Sequence, residues 1–89
     1  MTTEPLKPAR HVLTRQLPGG AVLVHLQTNR IFELNETAAR VWELLGAGVP
    51  QTDLASRLID EFDVDPETAA AEVTVLLDML AREGLLAEP

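Results

Sequence analysis

The stretch "RIFELNETAARVWELL", Arg30 to Leu45, changes its period halfway along. From Arg30 to Leu34 apolar and polar residues alternate, as in a strand covered on one face. From Ala38 onward the apolar positions fall three and four apart, as on one side of a helix. Asn35 stands at the join, where its side chain can accept a hydrogen bond from the free N–H groups of a first helical turn, and Glu36 follows at the positive end of the helix dipole. The spacing predicts a strand over Arg30–Leu34 and a helix to about Leu45, with Ala38, Val41, Trp42 and Leu45 as its buried stripe.

Upstream, "HVLTRQL" and "AVLVHL" are rich in β-branched residues and flank "PGG", whose two glycines can take the positive φ of a tight turn. A β-hairpin is expected. If Leu17 pairs with Ala21, then Val22, Val24 and Leu26 share one apolar face with Val12, and a slip of one residue would expose them. "QTN" supplies the next turn, with Asn29 the residue most tolerant of a left-handed backbone, so the strands form a three-stranded antiparallel meander. Residues 1–10, with two prolines and little apolar content, are expected to be an irregular lead-in to a single domain over residues 11–89.

Downstream, "GAGVP" breaks the chain and "QTDLASRLIDEF" repeats Leu54, Leu58, Ile59 and Phe62 at helical spacing. "DPE" then places a capping Asp65, a proline at the first helical position and an acid in the first turn. Gly84 sits where a left-handed C-cap belongs, with Leu85 able to close back onto Leu80. Between these caps Ala69, Val73, Leu76, Leu77 and Leu80 form the core-facing stripe. A three-stranded antiparallel sheet followed by three α-helices is an α+β fold resembling a winged helix-turn-helix.

Composition removes most chemistries. The chain has 89 residues, enough for one modest core but not for a deep substrate cavity beside it. It has no cysteine, and 14 acidic against 7 basic residues leave a net charge of −7, which repels nucleic acid and anionic membranes. The third helix carries Glu67, Glu72, Asp78 and Glu83 against Arg82 alone, contrary to what a groove-reading helix needs. No apolar run reaches membrane-spanning length, and a soluble cytoplasmic protein is expected. His11 and His25, diagonal on the hairpin, are too few for a metal site and read as surface or edge histidines. Glu61, Asp63, Asp65 and Glu67 read as caps and dipole partners, since a calcium loop's spacing and glycine are missing. "PGGA" is too short for a phosphate loop and lacks its lysine, and no hydroxyl has a base beside it in a recognisable motif. Neither an enzyme nor a cofactor is expected.

Two longer pieces, "GGAVLVHLQTNRIFELNETAARVWELL" and "DLASRLIDEFDVDPETAAAEVTVLLDMLAREGLL", resemble the PqqD-like proteins, small recognition elements for the precursors of ribosomally made peptide natural products. The resemblance spans Val12 to Leu86. Its most specific parts are "LNETAARVW" and "FDVDPE" leading to "LAREGLL"; many relatives have glycine where Asn29 or Arg30 stands. The resemblance implies a noncatalytic adaptor whose third strand takes up the leader segment of a precursor peptide as an added strand, in a groove against the last helix. It also implies a peptide-modifying enzyme as second partner. "LNETAARVW" and "DVDPE" look closer to lasso-peptide relatives, whose partner is a leader protease, than to the quinone-cofactor branch with its radical-SAM enzyme. A monomer is expected. The alternative is an acidic winged-helix transcriptional or protein-interaction module.

On this resemblance the peptide site comprises Arg30, Ile31, Phe32, Glu33 and Leu34 on the strand and Val75, Asp78, Met79 and Arg82 on the last helix. Phe32 and Leu34 share a face and are read as core, which leaves Ile31 and Glu33 as the side chains for peptide contact. At 100° per residue Val75, Met79 and Arg82 lie away from the core stripe, with Asp78 beside them. Such residues are either scattered surface apolar groups or a groove wall, and methionine suits a groove that adapts to several side chains. Trp42, inside a helical stripe, is read as core. Which edge of the sheet is free stays open.

Overall fold

The computed structural model describes residues 6–87. Three antiparallel strands, β1 (Val12–Leu17), β2 (Gly20–His25) and β3 (Arg30–Asn35), lie in that order across one sheet. Helices α1 (Glu36–Gly46), α2 (Leu54–Glu61) and α3 (Pro66–Arg82) follow, with a short 3-10 turn, Gln51–Asp53, leading into α2. This is the expected α+β order. The first half of the expected lead-in, residues 1–5, lies outside the described residues.

The hairpin register differs by one residue from the expected one. Leu17 pairs with Gly20, not Ala21, because Pro18 and Gly19 alone make the turn, with Gly19 at φ +80° as a proline–glycine turn requires. Gly20 already belongs to β2, where a Cβ would collide with the main-chain carbonyl of Leu34. The slip exchanges the faces of β2. Ala21, Leu23 and His25 are buried beneath the helices, and Val22 and Val24 turn to the other side, so they are not the core partners of Val12. Leu26, the third residue expected on that core face, is exposed in the turn after β2.

His25 also departs from expectation. It is buried, and its Nδ1 accepts long hydrogen bonds from the main-chain N–H groups of Gln27 and Thr28, so the ring closes its own turn instead of sitting on the surface. The half-buried ring of His11 lies 4.8 Å from it, centroid to centroid. Asn29 takes the left-handed backbone at φ +62°, as its residue type predicts.

The Asn35 side chain accepts a 2.9 Å hydrogen bond from the Ala38 N–H and starts α1 directly from β3. Ala39, Val41, Trp42, Leu44 and Leu45 are its buried residues; Ala38, expected in the stripe, is only half-buried. The buried arc is wider than the predicted stripe because α1 is covered both by the sheet and by α2 and α3. Trp42 fills the space over the sheet, and its Nε1–H donates to Thr14 Oγ1 at 2.8 Å.

α3 has the predicted ends. Asp65 accepts from the Thr68 N–H at 2.7 Å, Pro66 occupies the first turn, and Gly84 at φ +72° reverses the chain. The Leu85 N–H then bonds the Leu80 carbonyl at 2.9 Å and the Gly84 N–H that of Ala81 at 3.3 Å, a Schellman closure that brings Leu85 into the core beside Leu80. Beyond it the chain clasps its own start. Ala9 N–H donates to Leu85 O and Ala87 N–H to Lys7 O, with Pro8 opposite Leu86.

Hydrogen bonds from the Thr68 hydroxyl and main-chain N–H hold the Asp65 carboxyl below the usual aspartate range. Because the folded value is the lower one, this stabilisation is complete above the unfolded value and is lost as pH falls through the folded one. Asp65→Ala should therefore lower the thermal midpoint at neutral pH, and the gap to the parent should close in acid. A gap that persists unchanged at pH 2 would assign the effect to something other than the charged cap.

Candidate functional site

β3 is an edge strand, with β2 on one side and no strand on the other among the described residues. α3 packs mainly on α2 and α1, not along β3, so the outer row of main-chain groups of β3 is left uncovered. At the start of the strand Arg30 forms an ion pair with Glu83, just past α3, while its guanidinium lies 5.3 Å from the centre of the Phe32 ring. That contact bounds the space between β3 and α3 at one end.

At the other end, where β3 runs into α1 at Asn35, the surface opens into a groove of about 410 Å³. Thr37, Ala38 and Val41 of α1, Leu58 of α2, and Ala71, Glu72, Val75, Leu76 and Met79 of α3 line it. The volume lies within the range of about 300–1,000 Å³ typical of ligand sites. Its walls are mainly aliphatic, with Glu72 as the one charged group. Val75 is 69% exposed although apolar, and Met79 is half-buried. Arg40 holds two walls together: its Nε and a terminal nitrogen meet both carboxylate oxygens of Glu61 at 2.7 and 3.1 Å, and it also reaches Glu43 at 2.6 Å. The hydrogen bond to Glu61 raises the Arg40 guanidinium above its ordinary value, and the same bond lowers the Glu61 carboxyl.

The predicted site residues separate into three groups. Val75 and Met79 stand together in the groove wall. Arg30, Ile31, Phe32, Glu33 and Leu34 form the edge strand beside it, and only Asn35 of β3 reaches the groove itself. Within the strand Leu34 is buried and Phe32 half-buried against the core, so a peptide alongside meets their main chain, while Ile31 and Glu33 point to the far side of the sheet. Asp78 and Arg82 pair with each other at 3.8 Å on the exposed side of α3 and do not line the groove. The groove also takes in Asn35, Thr37, Ala38, Val41, Leu58, Ala71, Glu72 and Leu76, which sequence reasoning did not place there. Ala71 was within reach of it, since Ala71, Val75 and Met79 recur every four residues; Val41 and Leu58 read as core stripes, and only the packing of three helices brings their edges to one cavity.

Among the described residues the outer main-chain groups of β3 have no strand partner and run toward an apolar trough, the two components of strand-addition recognition. No helix among the described residues is long and apolar enough to cross a membrane.

The fold is shared by two solved structures. One, described as TbiB1 in complex with the TbiA(beta) leader peptide, is 29% identical, with a TM-score of 0.83 over 93% of this chain and 96% of that one. The other, a lasso peptide synthetase B1 complexed with the leader peptide, is 24% identical, with a TM-score of 0.81 over 93% of this chain and 98% of its own. No curated protein sequence matches the chain. The family model described as coenzyme PQQ synthesis protein D (PqqD) matches residues 20–86, from the first residue of β2 to the terminal clasp, and the chain belongs to that family.

Proposed function

We propose that the protein is a noncatalytic adaptor that takes up the leader segment of a ribosomally made precursor peptide by adding it as a strand to β3, with leader side chains entering the groove at Val75 and Met79. The observation that carries this reading is the uncovered edge of β3 running into an apolar groove. The likeness to TbiB1, solved with a leader peptide, supports it. Residues 11–89 act as a single recognition domain, monomeric and cytoplasmic, without a cofactor. Holding the leader raises the local concentration of the attached core peptide at a modifying enzyme, so a weak active-site affinity suffices. A leader protease of lasso-peptide biosynthesis is the favoured enzyme, with a radical-SAM enzyme as the alternative.

The test is a titration of labelled protein with the leader of its cognate precursor peptide. Amide shifts should concentrate at Ile31–Leu34 and along Val75–Arg82. Because main-chain pairing and apolar contacts dominate, affinity should fall only modestly as salt rises through the physiological range. Mass spectrometry of the same mixture after long incubation should return the peptide intact. Shifts gathered on α2 would place the peptide elsewhere, and cleavage or modification by the pure protein would refute the adaptor.

A further inference from the structure

Strand addition at β3 leaves one broad surface of the molecule unused, the side of the sheet turned away from the helices. Residues paired across antiparallel strands point to the same side, so the observed register sets Leu13 of β1, Val24 of β2 and Ile31 of β3 in one row across that face. Leu13 is 57% and Ile31 67% exposed, with Val24 half-buried between them. In the next row Val22 separates Arg15 on β1 from Glu33 on β3. These two charges stand two strand spacings apart, about 10 Å. Neither makes an ion pair among the described residues.

From this face we infer a docking surface for the enzyme that modifies the leader-bound precursor, an inference that rests on the adaptor reading above. Position favours that occupant. The apolar row ends at Ile31, on the strand whose free edge takes the leader, so a protein seated there lies one strand spacing, about 5 Å, from the bound peptide and obstructs neither edge nor groove. Area disfavours a second copy. Three strands of six residues present a face of about 20 by 14 Å, roughly 300 Å². A stable interface takes about 800 Å² from each partner, so this face alone cannot hold a dimer, whereas an enzyme that also engages the tethered precursor needs only a weak contact here. Two copies would also bring together net charges of −7 each. The fitting partner surface is apolar at its centre, carries an acid for Arg15 and a base for Glu33 about 10 Å apart, and is positive in sum. Such contacts steer and orient a transient complex more than they tighten it.

Leu13→Glu and Val24→Thr test the inference, since both positions lie off the leader edge and point away from the core; the second adds no charge. Leader affinity is measured by titration, affinity for the cognate leader protease by surface-immobilised binding, and mass by sedimentation. Leader affinity should stay within twofold of the parent, while affinity for the protease falls at least tenfold in Leu13→Glu and severalfold in Val24→Thr. Protease binding unchanged in both variants, with leader binding intact, would overturn the docking face alone. A parent protein that sediments as a dimer and becomes monomeric in Leu13→Glu would give the face to a second copy and overturn it equally. Failure of the parent to bind the leader at all would instead remove the adaptor reading on which the inference stands.

Discussion

Replacing Trp42 with alanine should cost about 3–5 kcal/mol of folding stability, the range for emptying a buried aromatic site. Trp42 is 4% exposed in the layer between sheet and helices, and its indole N–H is the donor to Thr14 on the far strand of the sheet. A domain of this size has in all about 5–15 kcal/mol, so the variant should melt at a much lower denaturant concentration or fail to populate a single folded state. Trp42→Phe retains most of the volume and loses the hydrogen bond; it should cost clearly less. Chemical denaturation of the three proteins checks the order. A Trp42→Ala midpoint close to the parent's would mean that the indole is not the centre of the core.

Met79→Glu should fail differently. In the free protein the half-buried side chain lies in an open groove, where a carboxylate can reach water, so the fold should survive with a modest loss of stability. In the complex an apolar leader side chain would cover that carboxylate with no cation opposite it, and Glu72 in the same wall would add repulsion. The expected loss in leader binding is about 2 kcal/mol or more, roughly thirtyfold. Calorimetric titration alongside a melting curve separates the two effects. Parental affinity in a well-folded Met79→Glu protein would show that the peptide does not use this groove.

The features legible in the sequence are those decided within a few residues. Asn35 and Asp65 cap helices, Asn29 and Gly84 take positive φ, and Leu85 returns to Leu80, because each depends on a side chain or a missing Cβ acting on its own neighbourhood. The register of the hairpin was not legible. Ala21, Val22, Leu23 and Val24 are all apolar, so alternation cannot say which pair faces the helices, and the choice fell to whether Gly20 joins the turn or the strand. That choice depends on the Leu34 carbonyl, 14 residues away in sequence, which leaves no space for a side chain at position 20. The burial of His25 was hidden for a related reason: its partners are main-chain N–H groups of the following turn, which carry no residue signature. On α3, off-stripe spacing pointed to Val75 and Met79, which both line the groove. Ala38 and Leu58 were indistinguishable from core positions until the crossing of the helices fixed which side of each was left open.

The clasp between residues 7–9 and 85–87 puts the way into the domain and the way out of it side by side, beside Gly84 and the ion-paired end of β3, while the apolar groove opens where β3 meets α1. Any protein joined before Lys7 or after Ala87 therefore departs from the same corner, remote from the groove mouth. Domains whose ends adjoin are readily grafted into other chains or reopened elsewhere. A circular permutant joined across Lys7 and Ala87 by a short glycine linker and cut in the exposed segment around Gly48 would keep every wall of the groove. By the same geometry, a chain extended at either end would grow away from the binding surface and leave the groove lining unchanged.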